Sequence, residues 1–269
     1  MKCSDVITIL EQLAPESIAC SWDNTGLLLG SREKEVRRIA VTLDVTDAVV
    51  EEALAWKADL IVSHHPLIFV PMKKITTDGM NGRRIWKLAG ADIACYAMHT
   101  SFDSAPKGMA WLAASRLGLE EMEVLDDKMN DTDAEGVIRE VGIGMVGNLP
   151  KPVPCSVFIR QVKEVFSIPA VSVYTASPEA MIQRVALCPG SGKDYIASAI
   201  KSGAQVYLTG DVGHHNGLDA REMGLTVIDA SHYHMEKIFV PYVREYLQSN
   251  LEGAAKVREI LDLCPFEVW

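Results

Sequence analysis

Short apolar runs alternate with segments of helical periodicity along most of this chain. The runs Arg38-Ile-Ala-Val-Thr-Leu-Asp44, Ala58-Asp-Leu-Ile-Val-Ser63 and Ile93-Ala-Cys-Tyr-Ala-Met98 read as buried strands, as do Arg184-Val-Ala-Leu-Cys-Pro-Gly190, Ala204-Gln-Val-Tyr-Leu-Thr209 and Thr226-Val-Ile-Asp-Ala-Ser231. Between them lie Thr46 to Trp56, with apolar Val49, Val50, Ala53 and Leu54, and Lys193 to Lys201, with Ile196, Ala197 and Ile200. These spacings put apolar residues on one helical face. Strands alternating with helices predict βαβαβ units and mainly parallel sheets, because parallel neighbours need a crossover.

The order of elements after Arg38 repeats after Arg184. In each copy the second strand leads to a histidine pair, His64-His65 or His214-His215, and the third delivers His99 or His232. The predicted fold class is therefore α/β, with two similar α/β domains from an internal repeat and a metal site in the crevice between them. At the amino end Ser4 reads as an N-cap for a helix to Leu13, with Ile7, Leu10 and Leu13 as its stripe. The polar, acidic stretch Asp126 to Gly136 reads as a linker or exposed loop at a domain boundary. Pro154 to Phe166 reads as a helix within the scaffold of the second domain.

At 269 residues the chain can bury one large core or two ordinary ones. A net charge of -10 argues against a broad basic face for nucleic acid, since that binding relies on phosphate neutralisation. A small molecule or a protein partner fits better. The six cysteines form no Cys-x-x-Cys pair and read as reduced core thiols, as in a cytoplasmic protein. Neither a signal core nor a run of about 18 apolar residues is present, so secretion and membrane insertion are not expected.

All seven histidines lie at or just beyond the downstream ends of apolar runs. In open α/β sheets ligands bind at the carboxyl ends of strands. Pro66 holds His65 extended, so adjacent His64 and His65 diverge and suit different ions, or opposite sides of one cluster. Asp103, four residues after His99, could bridge two ions, with His99 a ligand, a partner behind the ligands or a proton carrier. His232 and Glu236 share a face if they open the amphipathic segment continuing to Leu247; His234 then points elsewhere. Three imidazoles and two carboxylates exceed what one open catalytic zinc uses, and suit two ions about 3.5–4 Å apart. Asp23, beside Trp22, is a second candidate for proton transfer. Zinc, manganese and iron all suit these donors.

Trp22-Asp-Asn-x-Gly-Leu, Ser63-His-His-Pro, His99-Thr-x-x-Asp103, Gly210-Asp-Val-x-His-His-x-x-x-Asp-Ala220 and His232-Tyr-x-x-Glu236 resemble the motifs of the NIF-three-like dinuclear-metal family, often labelled GTP cyclohydrolase I type 2 homologues. The resemblance implies His64, His65, Asp103, His232 and Glu236 as metal ligands, the same positions reached from spacing. It also implies a toroidal homohexamer with metal sites facing an internal cavity, and a last helix that returns to the first domain. On that basis residues 1–125 with 232–269 form the first domain and carry the ligands, and 126–231 form the second. Ser101 replaces the family's common Asn, and Gly213 a frequent Lys, which weakens anion binding by the second motif.

Several signals carry less. Pro189-Gly-Ser-Gly-Lys-Asp194 lacks the full phosphate-loop pattern, although its backbone could still contact an anion. His214, His215 and Asp219 read as cavity lining or a helix start. Lys73 and Lys74, with Arg83 and Arg84, read as a solvated face or as steering charges for a phosphate-bearing substrate. The expected function is hydrolysis of nucleotides or phosphoesters through a metal-bridging hydroxide, with His99 or Asp23 moving protons. The competing expectation is a non-catalytic, hexameric metal-binding, storage or chaperone-like protein.

Overall fold

The computed structural model describes residues 1–132, 136–261 and 263–269. The first copy of the repeat runs α1 (Cys3–Leu13), β1 (Gly26–Leu29), β2 (Arg38–Thr42), α2 (Asp47–Trp56), β3 (Leu60–Ser63), α3 (Met80–Gly90) and β4 (Ala94–Ala97). It continues into α4 (Thr100–Ser104), α5 (Met109–Arg116), β5 (Glu120–Thr132) and β6 (Ile138–Pro154). The second copy runs α6 (Cys155–Phe166), β7 (Ser172–Tyr174), β8 (Met181–Leu187), α7 (Ile196–Lys201), β9 (Val206–Thr209), α8 (His214–Glu222) and β10 (Thr226–Asp229), and ends in α9 (His232–Glu236), α10 (Phe239–Asn250) and β11 (Lys256–Glu259).

The repeat is longer than its βαβαβ kernel. The first sheet has the order β1-β4-β3-β2-β11 and the second β5-β6-β8-β9-β10-β7. In each, the last kernel strand is flanked by an antiparallel strand that precedes the kernel, β1 beside β4 and β7 beside β10. The strands following each copy are exchanged: β11 pairs with β2 in the first sheet, and β5 and β6 extend the second beyond β8. The first sheet is parallel apart from β1. The second is mixed, parallel only across β8-β9-β10, so the expected mainly parallel arrangement holds for one sheet.

Core formation follows the pleat. Strands β3, β4 and β9 are buried along their whole length, as expected of strands covered on both faces. On one face of the first sheet Ala40, Ile61 and Cys95 join Val49, Val50 and Ala53 of α2 and Ile85 and Leu88 of α3 in one cluster. Thr46 caps α2, its hydroxyl accepting from the Val49 N–H at 3.3 Å. Helix α1 buries Ile7, Leu10 and Leu13 together with Cys3 and Val6. Its cap is Lys2 rather than Ser4, because the Asp5 carboxylate accepts from the Lys2 N–H at 2.7 Å and starts the helix earlier. The Tyr246 hydroxyl on α10 donates to the Ile9 carbonyl of α1 at 3.1 Å.

Compact units comprise Met1–Phe102 with Phe239–Leu263, and Asp103–Ile238 with Cys264–Trp269. The chain thus crosses between units at 102/103, 238/239 and 263/264, where the sequence reading put boundaries at 125/126 and 231/232. The acidic stretch after Asp126 is no linker as far as Thr132: it belongs to β5, paired with β6 from Asp126↔Ile143 to Thr132↔Ile138. Strand pairing satisfies its backbone while alternate polar side chains remain exposed. Its residues 133–135 lie outside the described residues. The segment from His232 to Leu247 is likewise two helices, with a break at Lys237–Ile238 that coincides with the second crossing.

Leu247 is fully buried on α10, the helix that rejoins the first unit from late in the chain. Leu247→Ala should therefore destabilise the protein by about 2–5 kcal/mol in urea unfolding; a loss below about 0.5 kcal/mol would show that α10 is not part of that core.

Candidate metal centre

Register gathers the functional side chains. In the first unit Thr42 is level with Ser63, and Ser63 with Ala97, so Asp44, His64, His65 and His99 all emerge just past the carboxyl ends of β2, β3 and β4. The ligand-type atoms of His64, His65 and His99 lie within 4.8 Å of one another. His64 is fully buried, whereas the His65 and His99 side chains keep 21% and 19% of their surface exposed. The adjacent pair does not splay apart: the rings of His64 and His65 are 4.9 Å apart and tilted by 49°.

An oxygen holds Nδ1 of each imidazole. His64 Nδ1 lies 2.9 Å from the Met98 carbonyl, His65 Nδ1 2.8 Å from Asp44 Oδ1, and His99 Nδ1 2.8 Å from Asp23 Oδ1. Carbonyl and carboxylate oxygens only accept, so in each neutral ring Nδ1 carries the proton and Nε2 keeps its lone pair. That is the arrangement by which proteins orient imidazole ligands.

The second unit repeats the device. Thr209 pairs with Asp229, and Gly190, Asp211 and His232 follow the ends of β8, β9 and β10. His232 Nδ1 is 2.8 Å from Asp211 Oδ2, and its Nε2 is 2.8 Å from Glu236 Oε2, four residues on in α9. Two lone-pair atoms at that distance need a proton or a metal ion between them, so the pair suits a cation. Gly190, at φ +77°, stays close to them: an added Cβ would lie 2.3 Å from Glu236 Oε1 and 3.7 Å from His232 Nε2. The glycine turn read as a weak phosphate loop therefore makes room for this pair. Asp103 sits half-buried on α4, four residues after His99, the counterpart of Glu236 after His232.

Asp23 lies against the histidine trio, its Oδ1 2.8 Å from His99 Nδ1. Burial would raise its pKa, but hydrogen bonds from His99 and Thr100 outweigh this and hold the carboxyl well below the usual carboxylate range. Its Oδ2 accepts from the Thr100 N–H at 3.0 Å and the Thr100 hydroxyl at 2.6 Å. Other expected positions stand apart. His214 and His215 are exposed at the start of α8, and neither joins a close group of ligand-type atoms among the described residues. Asp219 lies further along α8. His234 is buried, with Nδ1 3.0 Å from the Ser231 hydroxyl, and burial lowers its pKa. Lys73 and Lys74 are exposed between β3 and α3, and Arg83 and Arg84 both pair with Asp47, at 3.0 and 2.8 Å. Sequence reading gave no role to Asp44, Asp211 or Thr100; a carboxylate just past the first kernel strand of one copy and the second of the other was the available signal for the two acids.

The match to known proteins spans this whole arrangement. Residues 1–262 match the family described as Duf34/NIF3 (NGG1p interacting factor 3). The chain belongs to that family. A relative from Clostridium perfringens, named GTP cyclohydrolase 1 type 2 homolog, is 34% identical over 253 residues, covering 94% of each chain. The solved structure of a Bacillus cereus protein related to NIF3 superposes with a TM-score of 0.90 at 25% identity, covering 100% of this chain and 99% of the other. The Staphylococcus aureus protein SA1388 superposes at 0.88 with 29% identity and the same coverage. This NIF3-family chain thus carries histidine and carboxylate groups able to hold metal, on a fold shared over its full length. Among its described residues no helix is long and apolar enough to cross a membrane.

Because the Asp23 carboxyl is depressed in the folded state, its stabilising contribution is complete above the ordinary Asp value of about 3.9 and is lost as pH falls through the folded value. Asp23→Ala should cost about 1–3 kcal/mol at pH 7 by leaving buried donors unmatched, with a shallower loss of stability below pH about 4 than the wild type. Parallel pH profiles in urea unfolding would contradict this coupling.

Proposed function

We propose that this protein is a dinuclear metal-dependent hydrolase in which His64, His65, Asp103, His232 and Glu236 hold two divalent ions. The observation that carries the reading is the oxygen on Nδ1 of His64, His65, His99 and His232, which leaves four Nε2 atoms as bases or ligands. Nitrogen and carboxylate donors without a cysteine suit zinc, manganese or iron. Two such ions would supply Lewis acidity and water activation, the chemistry of phosphoester or purine-ring hydrolysis. The relatives' name, GTP cyclohydrolase 1 type 2 homolog, favours nucleotides as the class to test.

The chain's own groups supply proton handling. Asp23 fixes the tautomer of His99 and stabilises the imidazolium formed when Nε2 takes a proton, so His99 is the general base and Asp23 its positioning residue. Thr100 holds Asp23 through two bonds, which keeps the dyad aligned. Asp44 and Asp211 fix the tautomer and orientation of His65 and His232 in the same way. Gly190 keeps backbone against the Glu236 carboxylate without displacing it. We place the protein in a homohexamer, as the family resemblance implies.

Protein purified without chelators should contain about two divalent ions per chain by plasma emission, and His64→Ala should lose most of them while remaining folded. Asp103→Asn should abolish hydrolysis across a panel of nucleotides and phosphoesters. Metal content near zero in folded wild-type protein would sink the centre itself. Full occupancy with no turnover, or turnover unchanged by chelation, would instead leave a metal-binding assembly.

A further inference from the structure

Two large aromatic side chains stand largely in water beside the histidine trio. Trp22 is 62% exposed and Phe69 48%. Their ring centroids are 6.2 Å apart at 79°, and each meets the His99 ring nearly edge-on, Trp22 at 6.3 Å and 80°, Phe69 at 5.9 Å and 86°. Isolated exposed aromatics need no explanation, but a pair packed on a catalytic-type imidazole does.

The pair is held in place. Trp22 precedes Asp23, whose carboxylate is anchored to His99 and Thr100. On its other side Asn24 donates from its side chain to the Ile68 carbonyl at 2.5 Å, directly before Phe69. One short turn therefore fixes His99, Trp22 and the backbone beside Phe69 together, so the exposed faces are preorganised. The charge nearby in sequence is mainly positive. From Pro66 to Arg84 the chain carries Lys73, Lys74, Arg83 and Arg84 against the single carboxylate Asp78, in a protein of net charge -10.

We infer that Trp22 and Phe69 form a stacking subsite beside His99 for the planar heteroaromatic ring of the substrate, whose anionic group is attracted by Lys73 and Lys74. The inference rests on the hydrolase reading and narrows its substrate to nucleotide-like molecules. Every nucleobase presents a π-face, so aromatic walls bind the class without selecting one base. An aliphatic phosphoester gains nothing from them. Lysines on an exposed segment contribute long-range attraction, which weakens with salt.

Calorimetric titration of the metal-loaded full chain with GMP, and with ribose 5-phosphate as a control that lacks the heteroaromatic base, tests this. GMP should bind at least about tenfold more tightly, Trp22→Ala should weaken GMP alone by roughly five- to 150-fold, and Trp22→Phe should retain most of the affinity. The double substitution Lys73→Gln, Lys74→Gln should weaken both ligands and flatten the salt dependence. Equal affinity for GMP and ribose 5-phosphate, or unchanged GMP affinity in a folded, metal-replete Trp22→Ala protein, overturns the subsite and leaves the metal centre standing. If that variant also falls to a smaller assembly in sedimentation, the aromatic pair serves a second copy of the chain instead. Ring-dependent binding that Trp22→Ala removes, in protein that takes up no metal, supports the subsite and sinks the metal centre.

Discussion

An oxygen acceptor on Nδ1 of each imidazole is the interaction on which the site depends. Without it a histidine ring can rotate and exchange tautomers, and neither nitrogen is reliably free to bind or accept a proton. Here the acceptors come from just past the strand ends at Met98, Asp44 and Asp211, and from the turn ahead of β1 at Asp23. The first three are placed by the pairing of parallel strands, which align one carboxyl end with the next, and Asp23 by the turn that leads into the antiparallel β1. The sheet is thus the instrument that aims the imidazoles, and its stability and the chemistry of the site are linked.

The repeat shows what can vary while that device is kept. His99 with Asp103 and His232 with Glu236 are equivalent pairs, each a histidine and a carboxylate four residues apart after the last kernel strand. Their anchors differ: His99 is held by Asp23, from a turn ahead of the first strand of its sheet, and His232 by Asp211, just past the strand next to its own. The first arrangement brings Trp22 and Asn24 along with Asp23. The second places Gly190 against Glu236, where a side chain would collide with the carboxylate. The copies have kept the scaffold and specialised the loops, as loop-borne sites on a rigid sheet allow.

Exchange of terminal elements between the copies adds a constraint of its own. Strand β11, made after the second copy, completes the first sheet, and β5 and β6, made after the first, extend the second. Helix α10 docks on α1 through Tyr246 and Ile9, residues separated by almost the whole chain. The first unit, Met1–Phe102 with Phe239–Leu263, is then complete only when most of the chain is available and depends on contacts of long sequence separation, whereas the second is nearly continuous from Asp103 to Ile238.

Local pattern in the sequence determined the kernel strands, the crossover helices, the repeat and the alignment of histidines with strand ends, because apolar periodicity and turn chemistry are local properties. Spacing also made His232 and Glu236 partners, since positions four apart on a helix share a face. What the sequence could not fix was decided by pairing at a distance. The acidic stretch after Asp126 looks like a linker until β6 supplies its hydrogen bonds, and the continuous amphipathic segment after His232 breaks where the chain changes unit. Asp44 and Asp211 look like ordinary strand-end acids until register sets each beside an imidazole from elsewhere in the chain. Register and crossover are non-local, so only the folded chain decides which oxygen meets which nitrogen.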